Sequence, residues 1–139
     1  MVKVIHKNLA TNQNKDEQSQ TVLKKMREIS IEEQASTLAE KSGLPYIDLH
    51  IFPVDVEDIL LIPEKEARQW NIVLFNKKNL VVRFGVLDPT NQQMQDYIEA
   101  IATKNGWQTE LYVVSLPSLE RAWKHYSQRT FIEIGRAHV

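Results

Sequence analysis

Two β-rich apolar runs that lie close together constrain the fold of this chain more than any other feature. Residues 72–75 read IVLF and residues 80–87 read LVVRFGVL, and the polar tetrapeptide NKKN separates them. Valine, isoleucine and phenylalanine favour strands, whereas asparagine is common in turns. The pattern therefore predicts a β-hairpin whose turn is formed by residues 76–79.

The segment after the hairpin predicts a helix, a strand and a second helix. Asp88 stands at an N-cap position with Pro89 as the first helical residue, and apolar residues then recur at helical spacing up to Gly106. Residues 107–114 alternate and are rich in strand formers, so they predict a third long strand. Ser115 is expected to cap an amphipathic last helix.

The segment before the hairpin is mostly helical. Apolar residues at helical spacing predict a helical arm over residues 21–42, and Gly43 is the stop signal. The sequence LPYIDL at residues 44–49 predicts a short strand. Asp55 is placed to cap a short helix, and Pro63 fits the first turn of another.

Together these elements predict an α/β (α+β) fold, in which helices cover a small mixed sheet of three to four strands. A chain of 139 residues with ordinary hydrophobic content fits one such domain. Residues 8–20 are polar and aperiodic, so we expect residues 1–20 to be a flexible lead-in. The domain is assigned to residues 21–128, with the N-terminal helical arm at 21–42 and the α/β core at 43–128.

The last residues read as a foreign addition. The segment EIGRAHV, residues 133–139, is what translation of a common short-read sequencing adapter would give. We therefore expect residues 129–139 to be the end of a truncated gene that carries a non-native tail. A genomic read that encodes these residues without adapter would contradict this expectation.

Composition excludes several classes of function. A formal net charge of -1 argues against nucleic-acid binding, and the absence of cysteine excludes disulfides, thiolate catalysis and Cys-ligated zinc. The apolar runs are much shorter than the roughly 20 residues that span a bilayer, so no membrane insertion is expected. The default location is the cytoplasm.

No motif for catalysis or for a cofactor is present. The sequence contains neither the P-loop pattern GxxxxGK[ST] nor GxGxxG, because its glycines lie far apart, at positions 43, 85, 106 and 135. Its histidines lack the HExxH spacing of a zinc site. The acidic run at Asp55, Glu57 and Asp58 fits the start of a helix better than a catalytic pair. We predict no catalytic residue, no cofactor and no metal.

Three residues are candidates for contact with a partner. Trp70 and Trp107 could be interface anchors, since tryptophan is enriched at binding hot spots, but core packing is the commoner role. Arg68 could bind an anionic group, although an isolated arginine usually forms a surface ion pair. Both alternatives stay open for each residue.

Three stretches, in order, resemble one family. AEKSGLPYIDL at residues 39–49, LIPEKEAR at 61–68 and VLDPTN at 86–91 are similar to the N-terminal domain of the type II secretion and type IV pilus assembly ATPases, such as the general secretory pathway protein E. The resemblance covers residues 30–128. Its signature residues in this chain are Pro45, Tyr46, Asp48, Pro63, Glu64, Asp88 and Pro89.

The resemblance implies a non-catalytic regulatory and docking domain. Such a domain precedes a hexameric ATPase motor, which would bind ATP and Mg and is missing here. The implied partners are that motor and the inner-membrane secretion or pilus platform proteins. The implied location is the cytoplasm, peripheral to the inner membrane through those proteins.

An alternative within the same family is a cyclic di-GMP sensor. Relatives that bind this dinucleotide carry tandem motifs with RLG and LVxxG elements upstream of LPY. Residues 20–30 of this chain contain no glycine and retain at most half of one such motif.

Overall fold

The computed structural model describes the backbone of residues 2–127 and the side chains from Ser19 onward. Eight elements follow one another within residues 2–127: α1 Val2–Ser42, α2 Val56–Ile59, α3 Glu64–Trp70, β1 Ile72–Lys78, β2 Val81–Val86, α4 Gln92–Asn105, β3 Gln108–Val113 and α5 Leu116–Trp123. The expected tail at residues 129–139 lies outside the described residues.

The three strands form one mixed sheet in the order β1-β2-β3. The β1 strand pairs with β2 in antiparallel orientation, and β2 pairs with β3 in parallel orientation. Since parallel neighbours need a crossover connection, α4 connects β2 to β3. The predicted α+β class with a small mixed sheet is confirmed.

Contacts divide the chain into two compact units, residues 1–33 and residues 34–139. In the first unit α1 also runs through residues 8–20, where the sequence predicts a flexible lead-in. The prediction missed this because polar, aperiodic sequence does not itself prevent a helix. Residues 2–42 contain no glycine or proline, and many are good helix formers such as Gln, Glu and Lys.

Gly43 ends α1, as predicted, with a left-handed φ of 70°. The strand predicted at residues 44–49 is wrong, because only Tyr46 forms a single parallel bridge, opposite Val113. Pro45 has no N–H group to donate, so it cannot contribute a donor to a strand ladder. Asp48 then turns the chain, since its carbonyl oxygen accepts from the N–H groups of residues 51 and 52 at 3.1 and 3.0 Å.

The hairpin is confirmed, but its turn lies further along the chain than predicted. Residues 76–78 continue β1, and Lys78 pairs with Val81, so only two residues connect the strands. Asn79 adopts a left-handed φ of 57°, which asparagine tolerates better than most residues. The register shifts between Leu74 and Asn76, so Phe75 is a bulge residue, and four consecutive residues of β1 are buried.

Two of the three predicted caps are confirmed. A carboxylate oxygen of Asp55 accepts from the N–H of Glu57 at 3.0 Å, and the Ser115 hydroxyl accepts from the N–H of Ser118 at 3.2 Å. The cap predicted at Asp88 is wrong. The N-cap of α4 is Asn91, whose side-chain oxygen accepts from the N–H of Met94 at 3.1 Å.

Asp88 instead closes the turn before α4. Its Oδ1 accepts from the N–H of Thr90 at 2.9 Å and from the Thr90 hydroxyl at 2.6 Å. These bonds hold the pKa of Asp88 below its usual range, because they favour the charged carboxylate. The helix starts later than predicted because this local turn uses residues 88–91.

Close packing at Gly85 joins the central strand to its neighbours. A Cβ atom at this position would lie 2.8 Å from Cγ1 of Val114 and 3.3 Å from Cγ1 of Val73. Contacts below 3.0 Å would force the side chains apart, so the position accepts only glycine without displacement. Gly85 therefore permits close packing of the strands.

Substitution of Asn91 and of Asp88 should separate a helix cap from a turn. Asn91→Ala removes the N-cap of α4 and should lower the free energy of unfolding by about 0.5–2 kcal/mol. Asp88→Ala should lower the free energy of unfolding at neutral pH. As pH falls through the lowered pKa of Asp88, its carboxylate becomes protonated and the wild type loses the same stabilisation, so the difference between wild type and variant should shrink.

Urea denaturation of both variants at neutral and acidic pH measures these effects. If only Asp88→Ala lowers the stability at neutral pH, the assignment of the cap to Asn91 is contradicted.

Candidate functional site

The exposed side of α3 brings together two of the three predicted partner-binding residues. We define the α3 patch as Glu64, Glu66, Arg68 and Trp70 of this helix together with Tyr97 of α4. Nε of Arg68 lies 2.8 Å from Oε2 of Glu64, and both side chains are about half exposed. The Arg68 guanidinium also lies over the ring of Trp123 at 4.9 Å from its centroid. Arg68 is therefore held in place while its charge faces solvent.

Trp70 is half-buried and is stacked on Tyr97. The two ring centroids are 5.9 Å apart with an interplanar angle of 25°. Burial raises the pKa of Tyr97, and the negative charge of Glu66 raises it further. Trp70 thus packs against the core and still contributes to the surface, while its role as a partner contact stays a prediction.

Trp123 and Tyr126 form a buried layer beneath the α3 patch. Nε1 of Trp123 donates to the carbonyl oxygen of Ile72 at 3.1 Å, and the hydroxyl of Tyr126 donates to the carbonyl oxygen of Ile62 at 2.8 Å. Burial raises the pKa of Tyr126, with a further contribution from the Glu64 carboxylate. A phenol that stays neutral remains a donor to the buried carbonyl groups.

Trp107 lies apart from the other two candidates. It is half-buried beside an open groove of about 350 Å³ between α4 and β3. Ile98, Ala102 and Leu111 line the same groove. The predicted candidates therefore belong to two surfaces rather than one.

The signature residues serve structural roles in the described part of the chain. The carbonyl oxygen of Pro45 accepts from the N–H of Val113 at 2.9 Å, and Asp48 accepts from both the backbone N–H and the ring of His50. Pro63 is the N-cap residue of α3, and Glu64 pairs with Arg68. Pro89 is buried in the turn that Asp88 closes.

A third surface was not predicted from the sequence. An open groove of about 550 Å³ lies between the loop at residues 49–54 and the end of α5. Two histidines and the side chains of Arg121 and Lys124 line it beside apolar residues. Arg121 and Lys124 are three residues apart on an exposed helix face, and this spacing was the available signal.

The described residues contain no cluster of three or more His, Cys, Asp or Glu side chains that could hold a metal ion. No helix within those residues is long and apolar enough to cross a membrane. The three surfaces described above combine aromatic, apolar and charged side chains. Such surfaces are suited to binding.

The comparisons with known proteins identify relatives for this arrangement. The MshEN domain family matches residues 42–131, a range that starts at the last residue of α1. The structure of MshE with cdg aligns with a TM-score of 0.58 and 24% identity, over 64% of this chain and 63% of that chain. The chain therefore spans less than two thirds of the MshE chain.

The structure of the N-terminal domain of XpsE aligns with a TM-score of 0.54 and 17% identity, over 76% of this chain and 84% of that chain. Both likenesses show a shared fold. No curated protein sequence matched the chain.

Replacement of Tyr126 should test the buried hydrogen bond beneath the α3 patch. Tyr126→Phe leaves the buried carbonyl of Ile62 without its donor and should cost about 1–3 kcal/mol of unfolding free energy. Since the pKa of Tyr126 is raised in the folded state, its contribution is complete below the ordinary value of 10.0 and declines above it. The difference between wild type and variant should therefore narrow at high pH.

Urea denaturation at pH values on both sides of about 10 is the measurement. Tyr112→Phe is the control, because the Tyr112 hydroxyl makes only a long 3.4 Å bond to exposed Glu110. Equal losses for the two variants would contradict the assigned role of Tyr126.

Proposed function

The chain belongs to the MshEN family, the N-terminal domains of ATPases of the GspE and MshE type, and we propose its function from this membership. The chain is a non-catalytic regulatory and docking domain of a secretion or pilus assembly ATPase. The observation that carries the proposal is the family match over residues 42–131. This range includes all three strands and helices α2 to α5. The proposal thus concerns the folded core rather than the long first helix.

As a docking domain, the chain links two partners. One is an ATPase motor, which binds ATP and Mg, and the other is the group of secretion or pilus platform proteins at the inner membrane. The domain lies on the cytoplasmic side and reaches the membrane through those proteins. It needs no cofactor for this role, because its task is to hold two other components together.

The α3 patch supports docking through its composition. Arginine and tryptophan are enriched among residues that dominate binding energy at interfaces. Arg68 is held between Glu64 and the Trp123 ring and so loses little conformational entropy when a partner binds. Trp70 has its ring orientation fixed by Tyr97. Both anchors are therefore preorganised.

Charge reversal on α3 should test the docking surface. Arg68→Glu should weaken binding to the inner-membrane platform by about tenfold or more, since it removes one anchor and places an acid beside Glu64. Lys65→Glu is the matched control, because Lys65 is exposed on the same helix but is outside the α3 patch. The measurement is co-purification of the full chain with platform proteins from native membranes, with thermal unfolding to check both variants.

Equal binding by the two variants would remove the α3 patch from the interface. Recovery of no platform protein by the wild-type chain would contradict the docking function itself.

The similarity to the structure of MshE with cdg favours a second candidate function, which is sensing of cyclic di-GMP. The sequence upstream of LPY argues against it, because residues 20–30 contain no glycine. On the docking proposal, a calorimetric titration of the full chain with cyclic di-GMP should give no binding heat. Saturable binding at micromolar concentration would favour the sensor instead.

A further inference from the structure

The outer edge of β3 presents unpaired backbone groups. On the inner side, the N–H of Gln108 donates to the carbonyl of Leu80 at 2.8 Å, and that of Val114 donates to Val86 at 3.0 Å. Backbone groups of successive strand residues point to alternate sides. The N–H and C=O groups of Thr109 and Leu111 therefore point away from β2.

One end of this edge is already covered by the chain itself. The N–H of Val113 donates to Pro45, and its carbonyl oxygen accepts from Ile47 at 3.1 Å. Within residues 2–127, no hydrogen bond outside the β2–β3 ladder reaches the backbone groups of Thr109 or Leu111. Four backbone groups are thus available to an added strand, the arrangement that β-strand addition requires.

The groove beside Trp107 adjoins this edge. Thr109 and Leu111 line the groove together with Ile98, Ala102 and Trp107, and the polar residues Gln95, Glu99 and Thr103 of α4 complete its lining. A strand paired with the edge would place the two side chains opposite Thr109 and Leu111 on this same face of the sheet. Apolar side chains at both positions would cover the exposed parts of Trp107 and Leu111 on the apolar side of this mixed groove.

Between them, Glu110 faces the other side of the sheet. Its Oε2 lies 3.3 Å from Nε of Arg83 and 3.4 Å from the Tyr112 hydroxyl, and its side chain is about half exposed. The residue opposite Glu110 on an added strand would lie close to this carboxylate. A basic side chain is favoured there, since opposite charges on paired strands attract.

We propose that the open edge of β3 binds an extended segment of a partner protein with the pattern apolar–basic–apolar. Backbone hydrogen bonds to Thr109 and Leu111 hold the segment, the groove at Trp107 takes its apolar side chains, and Glu110 selects the basic residue. The inference rests on the proposed docking function and assigns a surface and a chemistry to one partner.

A second copy of this chain fits the edge poorly. Two copies related by a twofold axis would pair antiparallel, and all four free groups of each copy are used only when Thr109 faces Leu111 of the other. This register places Glu110 directly opposite its counterpart, and like charges at that position are destabilising. The other registers need backbone groups of Trp107 or Val113 that are already bonded within the chain.

The experiment uses the full chain, labelled with ¹⁵N, and a terminally capped peptide of sequence TVKVTS as the probe. Binding should shift the amide resonances of residues 108–111 and the indole of Trp107, and it should slow hydrogen exchange at the amides of Thr109 and Leu111. Thr109→Pro removes one outward N–H and should weaken binding by about tenfold, whereas Thr109→Val keeps this N–H and should bind as the wild type does.

A charge exchange keeps the proposal testable if Thr109→Pro fails to fold. Glu110→Lys should reverse the preference, so that TVEVTS binds more tightly than TVKVTS. An unchanged preference, shifts confined to another surface, or unprotected amides at Thr109 and Leu111 would overturn the proposal. Sedimentation that finds a dimer dissolved by Thr109→Pro would overturn it in favour of a second copy.

These outcomes are separable from those of the docking function. If wild type and Thr109→Pro recover the membrane platform equally, the β3 edge takes no part in docking and the β3 proposal fails, but docking itself stands. If the wild-type chain binds the peptide and recovers no platform protein, the β3 edge stands and the docking function fails.

Discussion

The last helix and the residues directly after it are joined to the rest of the domain by hydrogen bonds to carbonyl groups far earlier in the chain. Trp123 donates to a residue 51 positions before it, and Tyr126 donates to residues 64 and 67 positions before it. These donors belong to large buried side chains, so hydrophobic burial and hydrogen bonding act at the same place. The α3 patch depends on them, because Arg68 rests on the Trp123 ring.

The elements that short-range chemistry determines could be predicted from the sequence. Asp55 and Ser115 cap their helices through side-chain oxygens that reach a backbone N–H two or three residues away. Gly43 and Gly106 end helices because they adopt the left-handed conformation. Each of these features is complete within a few residues, so a linear pattern contains all the information that it needs.

The features that depend on tertiary contacts were predicted less well. Residues 76–78 look like a turn, but the N–H of Lys77 donates to Oδ2 of Asp58 at 3.1 Å, a bond to α2 that no local pattern reveals. The error at Asp88 is different in kind, since Asp88 and Asn91 are both good caps and only the three-dimensional turn decides between them. Residue type was enough to identify Arg68 and Trp70 as candidates. Their separation from Trp107 depends on the assembled fold, and so does the open edge of β3, so neither could be predicted from a local pattern.

The single bridge between Tyr46 and Val113 has a consequence for any strand that joins this sheet. It places a fixed end on the free edge, beyond which an added strand cannot slide. Register along an edge is otherwise weakly specified when the side chains alternate without strong contrast. Residues 45–47 therefore limit how far an added strand can extend toward Val113, so the family signature LPY would set the alignment of such a strand as well as contribute to the fold.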